Sequence, residues 1–397
     1  MLKTKLPLRI TFIAANDTCR WGGSEYCWGR AAERLAQMGA EVRVSKRLWA
    51  EPVKEIEHLR EAGCHIFYRH FPLPHFPIRV IRKFTHYDPF LAHLKEVTAG
   101  ADLVVISQGW HIDGLQWLEA TRSLGRKYCV ICQGVAERWW PGDEKVDRLA
   151  AAWEGTAAAF FVSEANLQMT RLMFATPLPR AKVIRNPFNV RYDASVPWPS
   201  EDEPLSLAFV SRIDPFGKGH DLLIQALSLP YWRARKIRVS LFGSGYNERS
   251  VRRMIQMARI ESIQFAGFTE DIERIWKDHH ALILPTRAEG MPLVLVEAML
   301  CGRPAIITDV GGARELVRDN INGFLLKAPT VEFLDEAMNR AWENRHRFRE
   351  IGEQAAIDVR KIIPPDPTED FVRELLTLAG SSEKVTERLT NAVEVRT

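Results

Sequence analysis

The sequence predicts an α/β protein made of two Rossmann-like domains that face each other across a cleft. Three observations lead there. The chain has 397 residues, about twice the length of a usual domain. Short apolar runs alternate with amphipathic helical stretches, the pattern of βαβ units and a parallel sheet. The alternation then restarts after a stretch rich in proline, serine and acidic residues, Pro187 to Pro204, which has the composition of a linker. With 46% hydrophobic and 26% charged residues, either half can bury a core of its own.

Taken in order, Arg9–Ala14 reads as the first strand. A glycine-containing loop follows, Asn16–Ser24. A helix starts near Glu25, with Trp28, Ala31, Ala32, Leu35 and Met38 on one side and Gly39 as its stop. Further strands are predicted at Glu41–Val44, Leu103–Ser107, Tyr128–Cys132 and Ala159–Ser163. In the second half, strands are predicted at Leu205–Val210, Ile237–Phe242, Ser262–Ala266, Ala281–Pro285 and Pro304–Thr308, with one longer helix from about Thr330 to Arg349. The domains are expected at 1–190 and 191–365. Residues 366–397 are expected to form a helix that packs back on the first domain, followed by a loose tail.

Bulk properties exclude several classes. The formal net charge of +4 is too small to imply nucleic acid. It is uneven, +7 over residues 1–195 and −3 over the rest, so the first half suits an anionic acceptor or membrane surface as well as a plain solvated face. No run approaches the roughly 20 apolar residues of a membrane span, and the start lacks the apolar core of a secretory signal. Six scattered cysteines suit a reducing compartment. A cytoplasmic protein, peripheral at the inner face of the membrane at most, is expected. Cys129 and Cys132 have redox or zinc spacing, but on a strand residues three apart point to opposite faces, so no metal site is expected there.

Four segments carry chemistry. In Pro285–Met299 a strand ends and a helix begins near Pro292, since proline suits the first turn. Gly290 allows close approach of the backbone. The free N–H groups of Met291 to Val294 make an anion site, with a helix-dipole contribution of roughly 0.3–1 kcal/mol. Glu289 precedes that helix and Glu297 lies on it, and carboxylates accept hydrogen bonds from vicinal hydroxyls. In Val210–Asp221, Arg212 and Lys218 stand at the mouth of a sheet, where a bidentate guanidinium and a mobile ammonium can offset the charge of a leaving diphosphate. Gly243, in Leu241–Tyr246, opens a tight turn, but the segment lacks the last glycine of a dinucleotide fingerprint. Gly22 and Gly23 open the first helix of the first domain, where backbone can approach a phosphate.

The order and spacing of these pieces resemble the family-4 retaining glycosyltransferases of GT-B fold (glycosyl transferases group 1). The similarity is specific over about Leu205–Leu326, from Val-Ser-Arg through Lys-Gly-His-Asp and Glu-Gly-Met-Pro-Leu-Val-Leu-Val-Glu to Asp-Val-Gly-Gly-Ala-Arg-Glu. It is thinner before that, at Gly-Gly-Ser-Glu and Arg185–Asn189. The resemblance implies a metal-independent hexosyltransferase-type enzyme that takes a sugar from a nucleoside diphosphate sugar. It implies that Arg212 and Lys218 contact the diphosphate, and that Glu289 and the backbone of Gly290, Met291, Pro292 and Leu293 hold sugar and phosphate. Glu297 would hold the ribose, Phe268 would lie near the base, and Gly23 would approach the phosphate from the first domain.

One departure bears on the acceptor side. Family members often place a histidine after a strand of the first domain, and here Gln133 occupies what corresponds to that place. His111 is a substitute candidate. The acceptor is expected to be a glycan or lipid-linked saccharide, as in polysaccharide biosynthesis. The segment Phe71–Phe84 mixes aromatics with three cations and suits a lipid interface as well as an ordinary loop and helix. Trp139-Trp140 suits a sugar-stacking surface as well as core packing. The alternatives are a non-catalytic or degenerate nucleotide-sugar-binding subunit, a GT-B epimerase or hydrolase of sugar nucleotides, and, last, a nicotinamide dehydrogenase.

Overall fold

The computed structural model describes residues 8–70, 88–200 and 204–380. Residues 71–84, with their mixed aromatics and cations, and the tail after Gly380 lie outside the described residues. The chain forms two compact units. One comprises Met1–Val162, Asn166–Pro187 and Asp366–Thr397, the other Ser163–Ala165 and Phe188–Pro365.

Among its described residues the N-terminal unit holds seven parallel strands: β1 (Arg9–Ala14), β2 (Glu41–Arg47), β3 (His65–Arg69), β4 (Leu103–Gln108), β5 (Tyr128–Cys132), β6 (Ala158–Phe161) and β7 (Ala181–Val183). Their order is β3-β2-β1-β4-β5-β6-β7. The chain thus winds one way from β1 and then the other way from β4. Both faces of the sheet are covered, as a parallel sheet requires. Cys129 joins the core on one face and Cys132 the core on the other; both thiols are pushed up by burial, which suits packing rather than metal binding.

The helix Gly23–Gln37 buries Cys27, Trp28, Ala31, Ala32 and Leu35 against the first of these cores. Helix Pro367–Leu378 lies on the same face through Phe371, Val372, Leu375 and Leu376. Phe371 meets Phe160 edge to face at 5.2 Å, and Arg34 bonds Asp366 and Glu369 at 2.6 and 3.2 Å. Each large apolar side chain buried there contributes roughly 1.5–3 kcal/mol, more than the half-exposed ion pairs do.

The C-terminal unit repeats the design with β8 (Leu205–Val210), β9 (Ile237–Phe242), β10 (Ile263–Gly267), β11 (Ala281–Leu284), β12 (Ala305–Thr308) and β13 (Phe324–Leu326), in the order β10-β9-β8-β11-β12-β13. Here the winding reverses between β8 and β11. The helix expected over Thr330–Arg349 is two. Val331–Glu343 is capped by Thr330 Oγ1, which accepts from Phe333 N–H at 3.3 Å. It ends where Asn344 turns its amide back onto the carbonyl of Arg340 at 2.9 Å, and a new helix runs Phe348–Arg360. No helix among the described residues is long and apolar enough to cross a membrane.

Four buried histidines and one half-buried one bear on acid stability. Burial lowers the imidazoles of His93, His279 and His280 and brings those of His111 and His220 to about 4. An unfolded chain protonates the same residues near 6.5. Between those values the unfolded state binds more protons, so stability rises with pH and falls on acidification. The urea midpoint should therefore decline steadily from pH 7 to pH 4. A flat profile over that interval would count against these placements.

Candidate active site

In open parallel sheets the winding reversal parts two neighbouring loops and leaves a crevice at the carboxyl ends of the strands. In the C-terminal unit, the loops after β8 and β11 flank that crevice. They contain Arg212 and Lys218, and Glu289 and Gly290. After β8 the chain turns through Asp214, whose side chain accepts from Gly217 N–H at 3.2 Å and caps the short helix Pro215–Lys218. Gly219 follows at φ +78°. A Cβ there would stand 2.0 Å from the carbonyl oxygen of Pro285. Only glycine lets the β8 loop press this closely on the end of β11.

That contact sets up the charged pair. Lys218 Nζ lies 2.5 Å from Glu289 Oε1. The hydroxyl of buried Thr286 is 3.0 Å from the same oxygen and 2.9 Å from the carbonyl of Gly217. Arg287 braces the loop from behind, with two bonds to Asp221 at 2.8 and 2.7 Å and one to the carbonyl of Pro215 at 2.8 Å. Arg212 is exposed and makes no ion pair among the described residues. Gly243, at φ +121°, passes over the β8 end, and a Cβ on it would lie 2.0 Å from Ser211 O.

Behind Glu289 the chain enters helix Leu293–Leu300, with Pro292 as its cap residue. The N–H groups of Met291, Leu293 and Val294 have no backbone acceptor among the described residues, as expected for the first turn of a helix. The carbonyl of Gly290 is held by Gly312 N–H at 2.7 Å, which fixes the loop. Glu297, expected to face hydroxyls, is buried at 4% exposure. Its Oε1 accepts from Asn189 through the backbone N–H at 3.0 Å and the side-chain amide at 2.8 Å. Phe268, after β10, is 73% exposed. Phe216 and Tyr246, exposed on the loops after β8 and β9, are two aromatics that the sequence reading did not single out. Their signal was a large aromatic in a loop with no apolar periodicity around it.

The remaining candidates lie in the N-terminal unit. Gly22 and Gly23 lead into the first helix. Beneath them Lys46 and Glu25, both 1% exposed, approach within 3.4 Å, and Ser24 Oγ donates to Glu25 at 2.5 Å. Gln133 is buried, and its Oε1 accepts from Asn186 at 2.8 Å. His111 is fully buried, its ring 5.9 Å from Phe174. Its side chain is thus core packing, out of reach of a solvent-borne acceptor.

This geometry brings an ammonium–carboxylate pair and the open N–H groups of a helix start into one crevice of a Rossmann-like unit. Residues 193–357 match the family model of glycosyl transferases group 1. That match lies in the C-terminal unit, and the two Rossmann-like units have the GT-B fold. The structure of Anabaena Alr3699/HepE in complex with UDP-glucose superposes with a TM-score of 0.72 at 19% identity, over 93% of this chain and 99% of that one. The poly(ribitol-phosphate) alpha-N-acetylglucosaminyltransferase of Staphylococcus aureus is 25% identical over 174 residues, 43% of this chain and 34% of its own length. An exopolysaccharide phosphotransferase of Streptomyces coelicolor is 33% identical over 129 residues, 32% of this chain and 13% of its own length. This chain thus matches 34% of the length of one of these curated relatives and 13% of the other.

Gly219→Ala should lower stability by at least about 1–3 kcal/mol, the cost of a strained left-handed residue, with the clash added. Gly22→Ala, whose Cβ would meet only Cys19 Sγ at 3.6 Å and Glu25 Oε2 at 3.7 Å, should change it by less than roughly 0.5 kcal/mol. Urea unfolding of the two variants checks the contrast.

Proposed function

We propose that the protein transfers a sugar from a nucleoside diphosphate sugar to a hydroxyl of a glycan or lipid-linked saccharide, with retention of anomeric configuration and without a metal ion. The observation that carries this reading is the Lys218–Glu289 pair at the β8–β11 crevice, next to the open N–H groups of Met291, Leu293 and Val294.

On this reading the donor diphosphate lies against that helix start. Arg212 and Lys218 supply the positive charge that a metal would otherwise bring, and they stabilise the diphosphate as the glycosidic bond breaks. Glu289 is poised to accept hydrogen bonds from hydroxyls of the transferred sugar. Because it also pairs with Lys218, it holds the ammonium toward the phosphate. Glu297 reaches the ribose, Phe268 packs near the base, and Gly243 leaves room for the backbone beside the phosphate. With a glutamine at position 133 and His111 inside the core, no side-chain base is assigned. The leaving phosphate oxygen takes the acceptor proton on the same face, and that course gives retention. The UDP-glucose complex of the Anabaena protein makes UDP the first nucleotide to test.

Glu289→Gln and Lys218→Ala should each lower kcat for transfer by about 10²–10³-fold, the size of one lost electrostatic contact to developing charge, with an unchanged circular dichroism spectrum. Activity of the unaltered protein should persist in EDTA. Near-normal turnover in both variants, or complete loss with EDTA, would overturn the assignment.

A further inference from the structure

The basic charge of the second half is gathered in one place. Residues 231–259 hold eight Lys/Arg and one Asp/Glu, a balance of +7, although residues 196–397 as a whole carry −3. The first half carries the same +7 spread over 195 residues. The gathered charge lies on and beside the helix Glu248–Ala258, which joins β9 to β10.

This helix turns Val251 and Ile255 into its unit. Arg249, Arg252, Arg253, Gln256 and Met257 are exposed, and their spacing of i, i+3, i+4, i+7 and i+8 puts them on one outward stripe. An ordinary solvated face intersperses acids with bases, and this one does not. The helix has a single acid, Glu248, which Arg252 engages at 2.7 Å while lying over the ring of Phe265, on β10, at 3.7 Å. Arg249 and Arg253 form no ion pair among the described residues. As like charges at i, i+4 they repel each other. Arg249 also stands in the first turn, where the helix dipole disfavours a cation. An anionic partner would relieve both costs.

The stripe continues past the helix. Arg259 is exposed at its C-cap. Arg233, on the helix Pro230–Ala234, donates to the carbonyl of Ala258 at 2.7 Å and so brings a further guanidinium to the same end. Between Arg253 and Arg259 in sequence, Met257 is 84% exposed.

A single helix face is convex, so it meets a plane more readily than it encloses a polymer. An anionic bilayer offers such a plane. Its phosphate oxygens suit guanidinium forks, its surface potential attracts clustered cations, and its acyl layer takes up an apolar side chain among them. We infer that the outward face of the helix Glu248–Ala258 is a docking surface for an anionic lipid bilayer. Arg249, Arg253 and Arg259 lie among the headgroup phosphates, and Met257 enters the apolar layer beneath. The surface lies within the C-terminal unit and does not depend on the transferase reading.

The test is co-sedimentation of the full chain with phosphatidylcholine vesicles, with and without phosphatidylglycerol. The protein should pellet with the anionic vesicles only, and less so as salt is raised. Arg249→Ala combined with Arg253→Ala should weaken that partition about thirtyfold, at roughly fivefold per cation near such a surface. Met257→Ala should weaken it by less. Arg274→Ala combined with Lys277→Ala removes two exposed cations of the helix Ile272–Asp278 and should leave it unchanged. Unchanged thermal midpoints in all variants confirm that they fold. No preference for the anionic vesicles, a partition that the Arg249 and Arg253 changes leave intact, or an equal loss in the Arg274 and Lys277 variant overturns the surface. So does retention on immobilised heparin without vesicle binding, which would make the partner a soluble acidic glycan.

Discussion

Everything in the candidate site depends on one constraint, the closeness of the β8 loop to the end of β11. Parallel strands deliver all their carboxyl ends to one edge of a sheet, and the winding reversal leaves two of those ends without a connection across them. The crevice is useful only if the two flanking loops are held close enough to share a ligand. Gly219 permits that approach, and the bonds of Thr286 and Arg287 to the carbonyls of Gly217 and Pro215 lock it. The ammonium of Lys218 and the carboxylate of Glu289 then meet without needing to find each other across solvent.

The energetics of that pair argue for a role beyond stability. Its two side chains are 19% and 11% exposed, so both have lost most of their water. The mutual attraction of such a pair roughly offsets its desolvation and often does no better than apolar residues of the same size. The same reasoning applies to Lys46 and Glu25, which are far more buried and separated by 3.4 Å. There the cation also reaches the carbonyl of Asn16 at 3.4 Å, and the anion holds Ser24. The pair thus orders the loop after β1 as well as neutralising itself. In both units, charge is kept inside at the carboxyl ends of the central strands, where a ligand would repay it.

The sequence made the architecture legible where periodicity was strong. All the central strands are buried on both faces and read as continuous apolar runs, as Val104–Ile106 and Leu282–Leu284 do. It did not reveal β3, whose His-Ile-Phe-Tyr-Arg is only partly buried at a sheet edge, nor β7 and β13, each three residues long and held mainly by pairing with a neighbour. The charged residues of the β8–β11 crevice were legible because glycine, proline and helix-start chemistry surround them in a fixed order. The surroundings of His111 and Asp113 were not. Burial of His111 depends on packing against Phe174 from a helix sixty residues further on, and no local pattern encodes that. Asp113 went unnoticed for the converse reason. An aspartate in a loop looks solvated until the fold brings Asn16 and Trp110 beside it.

Glu297 shows how a residue can answer to fold and ligand together. Its position on the helix suits a ribose, yet in this structure its Oε1 already takes two hydrogen bonds from Asn189. Asn189 lies just after Pro187, where the chain leaves one unit for the other. A carboxylate has about four acceptor positions, so Asn189 uses half of them. On the proposed reading, a ribose hydroxyl would share the group or displace that amide, and would so reach the first residues of the connection. The glutamate is thus a point at which the helix Leu293–Leu300 and the path of the chain are tied together.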